Sequence, residues 1–322
     1  MPDRPFYFEI YRLNIVDEEG MLPFLAPIRN DSEILRVIST STDSRFDRTT
    51  ESRRGTFKWS LREFTTYEFE GNDRTPVAGA TFARSVITQT GQTVTDSSIE
   101  DALSQISPPY AETMHMFFNL MRHIVAVEYN SMVMATSQWR SSLHDILDAA
   151  AHSLEFQSSL RLEPVPREDE VLTAFRSFER LTRLRVRLRI PNPELDRRTE
   201  RLRRDLQSGA IREYTQDMKN PRGLSKSEEN LPFATAAMAQ AGYKEGDVIL
   251  TGYRGNKLQS IRTGGKAIRG RIDGLKDFVR GMAANAKAKE TRAAIASILE
   301  EVDRLAEAPT PPDSSAAKES ER

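Results

Sequence analysis

The stretch Arg183-Leu184-Arg185-Val186-Arg187-Leu188-Arg189-Ile190 has residue types and a spacing that could do chemistry. Read as a strand, it sends successive side chains to opposite faces. Arg183, Arg185, Arg187 and Arg189 then share one face, and Leu184, Val186, Leu188 and Ile190 share the other. The apolar row must face a core. Four guanidiniums stand ~7 Å apart along the strand, a spacing of the same order as phosphates along a nucleic-acid strand. Such a row repels itself unless anions lie opposite it. Phosphates suit this role, and so do carboxylates of neighbouring strands, because Arg grips both with two parallel hydrogen bonds. A phosphate site and a cross-strand ladder of salt bridges to Glu or Asp are therefore both open.

Further cations follow. Arg197, Arg201 and Arg204 fall at i, i+4, i+7 of a predicted helix, which places them on one basic face. Tyr253, Arg254, Lys257, Arg262, Lys266, Arg269 and Arg271 lie among glycines that leave backbone N–H groups accessible to phosphate. Tyr253 between cations is a candidate for stacking on a base.

Other chemistry finds less support. His144, Asp148 and His152 recur every four residues, on one face of a predicted helix. Their outer pair would be ~12 Å apart, too far to share one metal ion, and no further ligands are identifiable. A solvated polar face accounts for them, and no metal site is expected. His115 and His123 lie in an apolar stretch and read as satisfied core histidines. There is no phosphate-binding Gly-x-x-x-x-Gly-Lys-Ser/Thr loop, and no Gly-x-Ser-x-Gly elbow. No cofactor is implied, and catalytic residues stay unassigned. A metal-dependent nuclease with scattered carboxylates remains an alternative, since such sites leave little linear trace.

The elements that position these residues can be read from patterning. Aromatic and β-branched residues make 6–16 a strand. Asp31-Ser32 caps a short helix, and 39–55 reads as a polar loop. Residues 57–70 and 77–90 alternate as an antiparallel hairpin. Ser107-Pro108-Pro109 reads as a break. Residues 123–129 are a buried strand, while 113–122 fit strand or helix equally. A helix over 137–153, a strand over 160–166 and a helix over 168–178 follow. The Arg strand (181–190) precedes a helix over 193–206, a strand over 212–218 and a helix over 231–241. Residues 247–250 and 257–261 form a hairpin. One long or two broken helices cover 275–308, where Ile295, Ile298, Val302 and Leu305 recur at heptad spacing. Docking of that helix on this chain and a homodimer are both open. The tail from Pro309 is disordered by composition.

The predicted class is α+β: an antiparallel-rich N-terminal half, a ferredoxin-like βαβαββ-type C-terminal half and a long C-terminal helix. The parts run 1–133, 134–274 (the basic part), 275–308 and 309–322. The whole chain of 322 residues is nearly neutral, with 46 Lys+Arg against 47 Asp+Glu. The charge is unevenly spread. Residues 160–290 hold 28 cations and 18 acids, a net of +10, leaving 18 against 29 elsewhere, a net of −11. Residues 252–271 hold six cations and no acid. A basic segment in a neutral chain is the footprint of a polyanion partner or of pairing with the chain's own acidic part. The absence of Cys excludes disulfides, thiolate metal sites and a Cys nucleophile. No run approaches ~20 apolar residues, so no membrane helix is expected. The N-terminus lacks a signal-peptide pattern, and the cytoplasm is the expected compartment.

Two short stretches carry a resemblance. Asn220-Pro221-Arg222-Gly223-Leu224-Ser225 precedes a helix ending in Gly242-Tyr243. Asp247-Val248-Ile249-Leu250-Thr251-Gly252-Tyr253 leads to Lys257 and to Ile261-Arg262-Thr263-Gly264. With the opening strand and Ala126-Val127-Glu128-Tyr129-Asn130, they resemble an uncharacterised bacterial domain family of phage-defence islands, over most of the chain to about Gly274. The resemblance implies a cytoplasmic bacterial protein acting in defence against foreign nucleic acid, and carries no catalytic residues. The expectation is a nucleic-acid-binding protein recognising mainly the phosphate backbone, DNA or RNA. An interaction module, with the arginine face on an acidic protein partner, is the further alternative.

Overall fold

A computed structural model describes residues 4–17, 28, 30–67, 77–135, 138–167, 170–189, 202, 205–206, 208–209, 211 and 213–306. The chain is mixed α+β and rich in strands, as its patterning predicts. It divides into two compact units. The first comprises Met1–Glu9, Asp17–Leu162 and Gly270–Leu299. The second comprises Ile10–Val16, Glu163–Arg269 and Glu300–Arg322. Strand β1 (Phe6–Asp17) passes through both.

The first unit is built on an antiparallel sheet. Strands β2 (Arg48–Ser52), β3 (Gly55–Tyr67), β4 (Val77–Val94), β5 (Ile99–Asn119) and β6 (Ile124–Glu128) pair in sequence order. Large apolar side chains alternate onto a buried face, where Trp59 stacks on Phe82 with ring centres 5.6 Å apart. Helices α1 (Asp31–Thr40) and α2 (Gln138–Ser153) supply apolar stripes, including Ile34, Val37, Leu143 and Leu147, and strand β7 (Ser158–Pro164) follows α2 in the chain.

Four local expectations need correction or completion here. The cap of α1 is Asn30, one residue before the Asp31-Ser32 expected. Its side chain accepts from the Glu33 N–H, and the Glu33 carboxylate accepts from the Asn30 N–H, a reciprocal box. The segment expected as a loop over 39–55 contains β2. Its polar residues suit an edge strand, and the Trp59 indole N–H donates to Thr50 Oγ1 at 2.9 Å. Pro108 and Pro109 do not break the chain, because β5 runs through them. They fall where the β4–β5 register skips from Val86↔Tyr110 to Thr88↔Gln105, so their missing N–H groups remove no ladder bond. The ambiguous residues after Thr113 are strand, as far as Asn119.

Beyond Gln89, β4 has no β3 partner, and β5 meets β6 only from Met116 onward. The intervening part is a two-stranded ribbon ending at Val94↔Ile99. Val94, Ile99 and Leu103 are each more than 60 % exposed there (79, 65 and 68 %).

The second unit holds a four-stranded antiparallel sheet in the order β11-β10-β8-β9. Its strands are β8 (Arg180–Arg189), β9 (Glu213–Lys219), β10 (Lys244–Arg254) and β11 (Lys257–Thr263). Helices α3 (Glu170–Ser177) and α4 (Leu231–Gln240) pack on one face, with Phe175 edge-on to Phe233 at 6.1 Å. Leu181, Leu184, Leu188, Val248 and Leu250 complete that core. A ferredoxin-like arrangement would place β10 between β8 and β9. Here β8 and β9 are direct antiparallel neighbours from Arg183↔Lys219 to Arg189↔Glu213, and β10 lies on the other side of β8. The helix expected over 193–206 falls outside the described residues, apart from Leu202 and Leu206, which join this core.

Near the C-terminus, the two-helix alternative holds: α5 (Lys276–Val279) and α6 (Lys289–Leu305), with Ile295, Ile298 and Val302 buried within the chain. The tail over 309–322 lies outside the described residues. Among the described residues no helix is long and apolar enough to cross a membrane.

Candidate nucleic-acid interface

The alternation read from the Arg strand is realised in β8. Leu184, Val186 and Leu188 are buried against the helices, and Arg183, Arg185, Arg187 and Arg189 stand on the opposite face. Ile190 lies outside the described residues. The register carries that face across the sheet in transverse rows. From β11 to β8, one row is Leu258, Tyr253, Arg180. The next is Ser260, Thr251, Arg183, continuing to Lys219 on β9. A third is Arg262, Ile249, Arg185, Asp217. Beyond it come Glu245, Arg187 and Thr215, then Arg189 and Glu213.

Gly252 permits the first row. A bulge separates Thr251↔Arg183 from Gly252↔Leu181, and a Cβ at Gly252 would lie 2.4 Å from the Arg180 carbonyl oxygen. Only glycine lets the two backbones approach so closely. The approach sets Arg180 beside Tyr253, its guanidinium carbon 4.1 Å from the ring centre.

The electrostatics of this face are uneven. At one end Arg187 reaches Glu213 at 2.5 Å and Glu245 at 2.9 Å, and Arg189 pairs with the same two carboxylates. Two cations meet two acids, so this end is a neutral salt ladder of the kind the sequence left open. At the other end Arg180, Arg183, Arg185, Lys219 and Arg262 meet one acid, Asp217, a net of 5 − 1 = +4. Arg183 donates to both Asp217 oxygens at 2.7 Å, and Lys219 lies 3.2 Å from the same carboxylate. The hydrogen bond from Arg183 is the main reason the Asp217 carboxyl is held down to about 2. Arg185 is exposed and has no ion pair among the described residues.

The structure thus gathers Arg183, Arg185, Arg187, Arg189, Tyr253 and Arg262 on one sheet face. It does not bring the other predicted residues there. Arg254 follows Tyr253 on a regular strand and so turns to the other face, where it lies 5.0 Å from the Phe178 ring centre. Lys257 is its register partner at the hairpin turn. Lys266 and Arg269 are exposed but follow β11, outside the four strands. Arg271 belongs to the first unit and pairs with Asp273 at 2.8 Å. Arg197, Arg201 and Arg204 lie outside the described residues. Sequence reasoning missed Arg180 and Lys219 as members of the face. Period-two counting back from Arg183 skips Arg180 because the bulge shifts the phase.

The histidines have structural partners. His144 Nε2 accepts the Leu162 N–H at 2.9 Å, so its proton sits on Nδ1. Burial, aided by the nearby charges of Arg161 and Arg140, pushes its pKa down to about 3. Asp148 accepts two hydrogen bonds from Arg161, both 2.7 Å. His115 Nδ1 lies 2.8 Å from Glu128. No group of three or more metal-binding side chains occurs among the described residues.

A family model described as Domain of unknown function (DUF4747) matches residues 45–267, more than half of the chain. No curated protein matches the sequence.

Proposed function

We propose that the chain, which belongs to the DUF4747 family, binds nucleic acid by its phosphates at the cationic end of the β8–β11 sheet. One observation carries the reading: five cations share that end with a single carboxylate, and Arg185 among them has no internal anion within the described residues. Phosphate oxygens supply what such a cluster lacks. The contacts fall on the backbone of the polymer, so recognition is salt-sensitive and weakly sequence-specific. Arg187 and Arg189 scaffold the face, because Glu213 and Glu245 already neutralise them. The cytoplasm is the compartment that suits this activity. A role in defence against phage nucleic acid is part of the proposal and rests on the resemblance of the sequence motifs.

The test is binding of a fluorescent oligonucleotide across a salt series. With about four phosphates neutralised, affinity falls roughly 50- to 150-fold between 50 and 200 mM salt. Arg185→Glu lowers it by about tenfold or more at low salt and leaves the fold intact. Failure to bind any oligonucleotide at 50 mM salt refutes the reading. Arg187 and Arg189 show that this face accepts carboxylates, which favours an acidic protein partner as the second reading. Binding of poly-glutamate at 50 mM salt in place of oligonucleotide selects it.

A further inference from the structure

We infer that the polymer taken by this face is single-stranded, with one base stacked at the Tyr253–Arg180 pair; the inference rests on the nucleic-acid reading above. Tyr253 has Arg180 against its ring at 4.1 Å and Leu258 as its register partner, the latter 61 % exposed. Three adjacent side chains therefore form a flat, largely apolar corner at one end of a face that carries the arginines. Phosphates have no use for such a corner, but the flat surface of a base stacks on aromatic rings and on guanidinium planes.

The corner adjoins the cations at a suitable spacing. Thr251 and Arg183 follow one row along, ~7 Å away, and Arg185, Ile249 and Arg262 one row further. A strand crossing these rows sets a base on the corner and its following phosphates on the arginines. Duplex does not fit in this way. Four strands ~4.8 Å apart span ~14 Å before their side chains are added, whereas the major groove is ~12 Å wide and admits a helix or a two-stranded ribbon. A duplex would rest on this face by its phosphates alone, with its bases stacked inside and Tyr253 and Leu258 unused.

The experiment compares a single-stranded oligonucleotide with a hairpin duplex of equal phosphate count, by fluorescence anisotropy at 50 mM salt on the full chain. The expected result is at least tenfold tighter binding of the single strand. Tyr253→Ala removes most of that preference, weakening the single strand about tenfold and leaving the duplex unchanged, while Tyr253→Phe keeps the preference. Arg180→Ala, at an exposed position, reports on the same corner without touching the core. Equal affinity for duplex, or a preference that survives both Tyr253→Ala and Arg180→Ala, overturns this inference and leaves phosphate binding standing. Failure of the unaltered chain to bind either polymer overturns both.

Discussion

Reversing charge at Arg187 and at Arg185, one at a time, separates scaffold from ligand contact within a single strand. Arg187 lies 2.5 Å from Glu213 and 2.9 Å from Glu245, and all three side chains are between a third and a half exposed. Arg187→Glu removes two attractions, each worth ~0.5 kcal/mol at such exposure. It also sets a third carboxylate close to the first two. Each like-charge pair near 4 Å costs ~1 kcal/mol in a water-like medium and more where solvent is partly excluded. Arg189 still holds both acids and moderates the total to ~2 kcal/mol, or ~4–8 °C in thermal midpoint for a unit of this size. Arg185→Glu breaks no ion pair among the described residues. Its new repulsion from Asp217 is offset by Arg183, so the midpoint moves by ~1–2 °C at most. Oligonucleotide affinity behaves oppositely, falling with Arg185→Glu far more than the loss of stability would require. Thermal melts at low and high salt, alongside anisotropy, read both effects, and high salt shrinks the Arg187→Glu penalty. A lower midpoint for Arg185→Glu than for Arg187→Glu would refute the division of the face. So would nucleic-acid affinity that follows Arg187 and ignores Arg185.

Two further outcomes follow from the packing. Because the folded-state pKa of His144 is depressed to about 3, the unfolded chain binds a proton near pH 6.5 that the native chain refuses. Stability therefore declines as pH falls from about 6.5 toward 3, with a slope of up to ~1.4 kcal/mol per pH unit from this group. Urea denaturation between pH 7 and 5 should show that slope in the native chain and lose it in His144→Gln. Gly252→Ala drives a methyl group into the Arg180 carbonyl and costs ~2–3 kcal/mol. Where the variant stays folded, it weakens single-strand binding by displacing Arg180 from Tyr253, and unchanged stability in chemical denaturation would contradict the close approach.

What could be read from the sequence was local. The β8 alternation needs no partner strand to be seen, and it placed Arg183, Arg185, Arg187 and Arg189 on one face and Leu184, Val186 and Leu188 on the other, as found. Glu213, Asp217 and Glu245 were not legible as partners, because which acid meets which arginine depends on a register between strands far apart in sequence. The same period-two rule separates Tyr253 from Arg254. Treating 252–271 as one basic segment hid it, since net charge carries no direction. The N-terminal sheet shows the converse. Pro108-Pro109 looks like a terminator in isolation, yet a bulge absorbs both prolines once β4 lies alongside. A polar stretch such as 48–52 has no apolar period and reveals itself as a strand only through its pairing with β3.

The ribbon at the end of β4 and β5 divides the first unit kinetically. Its cross-strand bonds from Thr90↔Leu103 to Val94↔Ile99 lie beyond the end of β3 and add little to a core, while the roots of the same two strands line up Phe82, Met114, Met116 and Phe118 in full burial. Opening the ribbon exposes almost no new apolar surface, so its amides trade hydrogen for deuterium through small local excursions. The root amides must wait for the sheet itself to come apart. Two continuous strands will therefore record two clocks, with the change of tempo falling where β3 ends, past Gln89 on β4 and its partner Ser104 on β5.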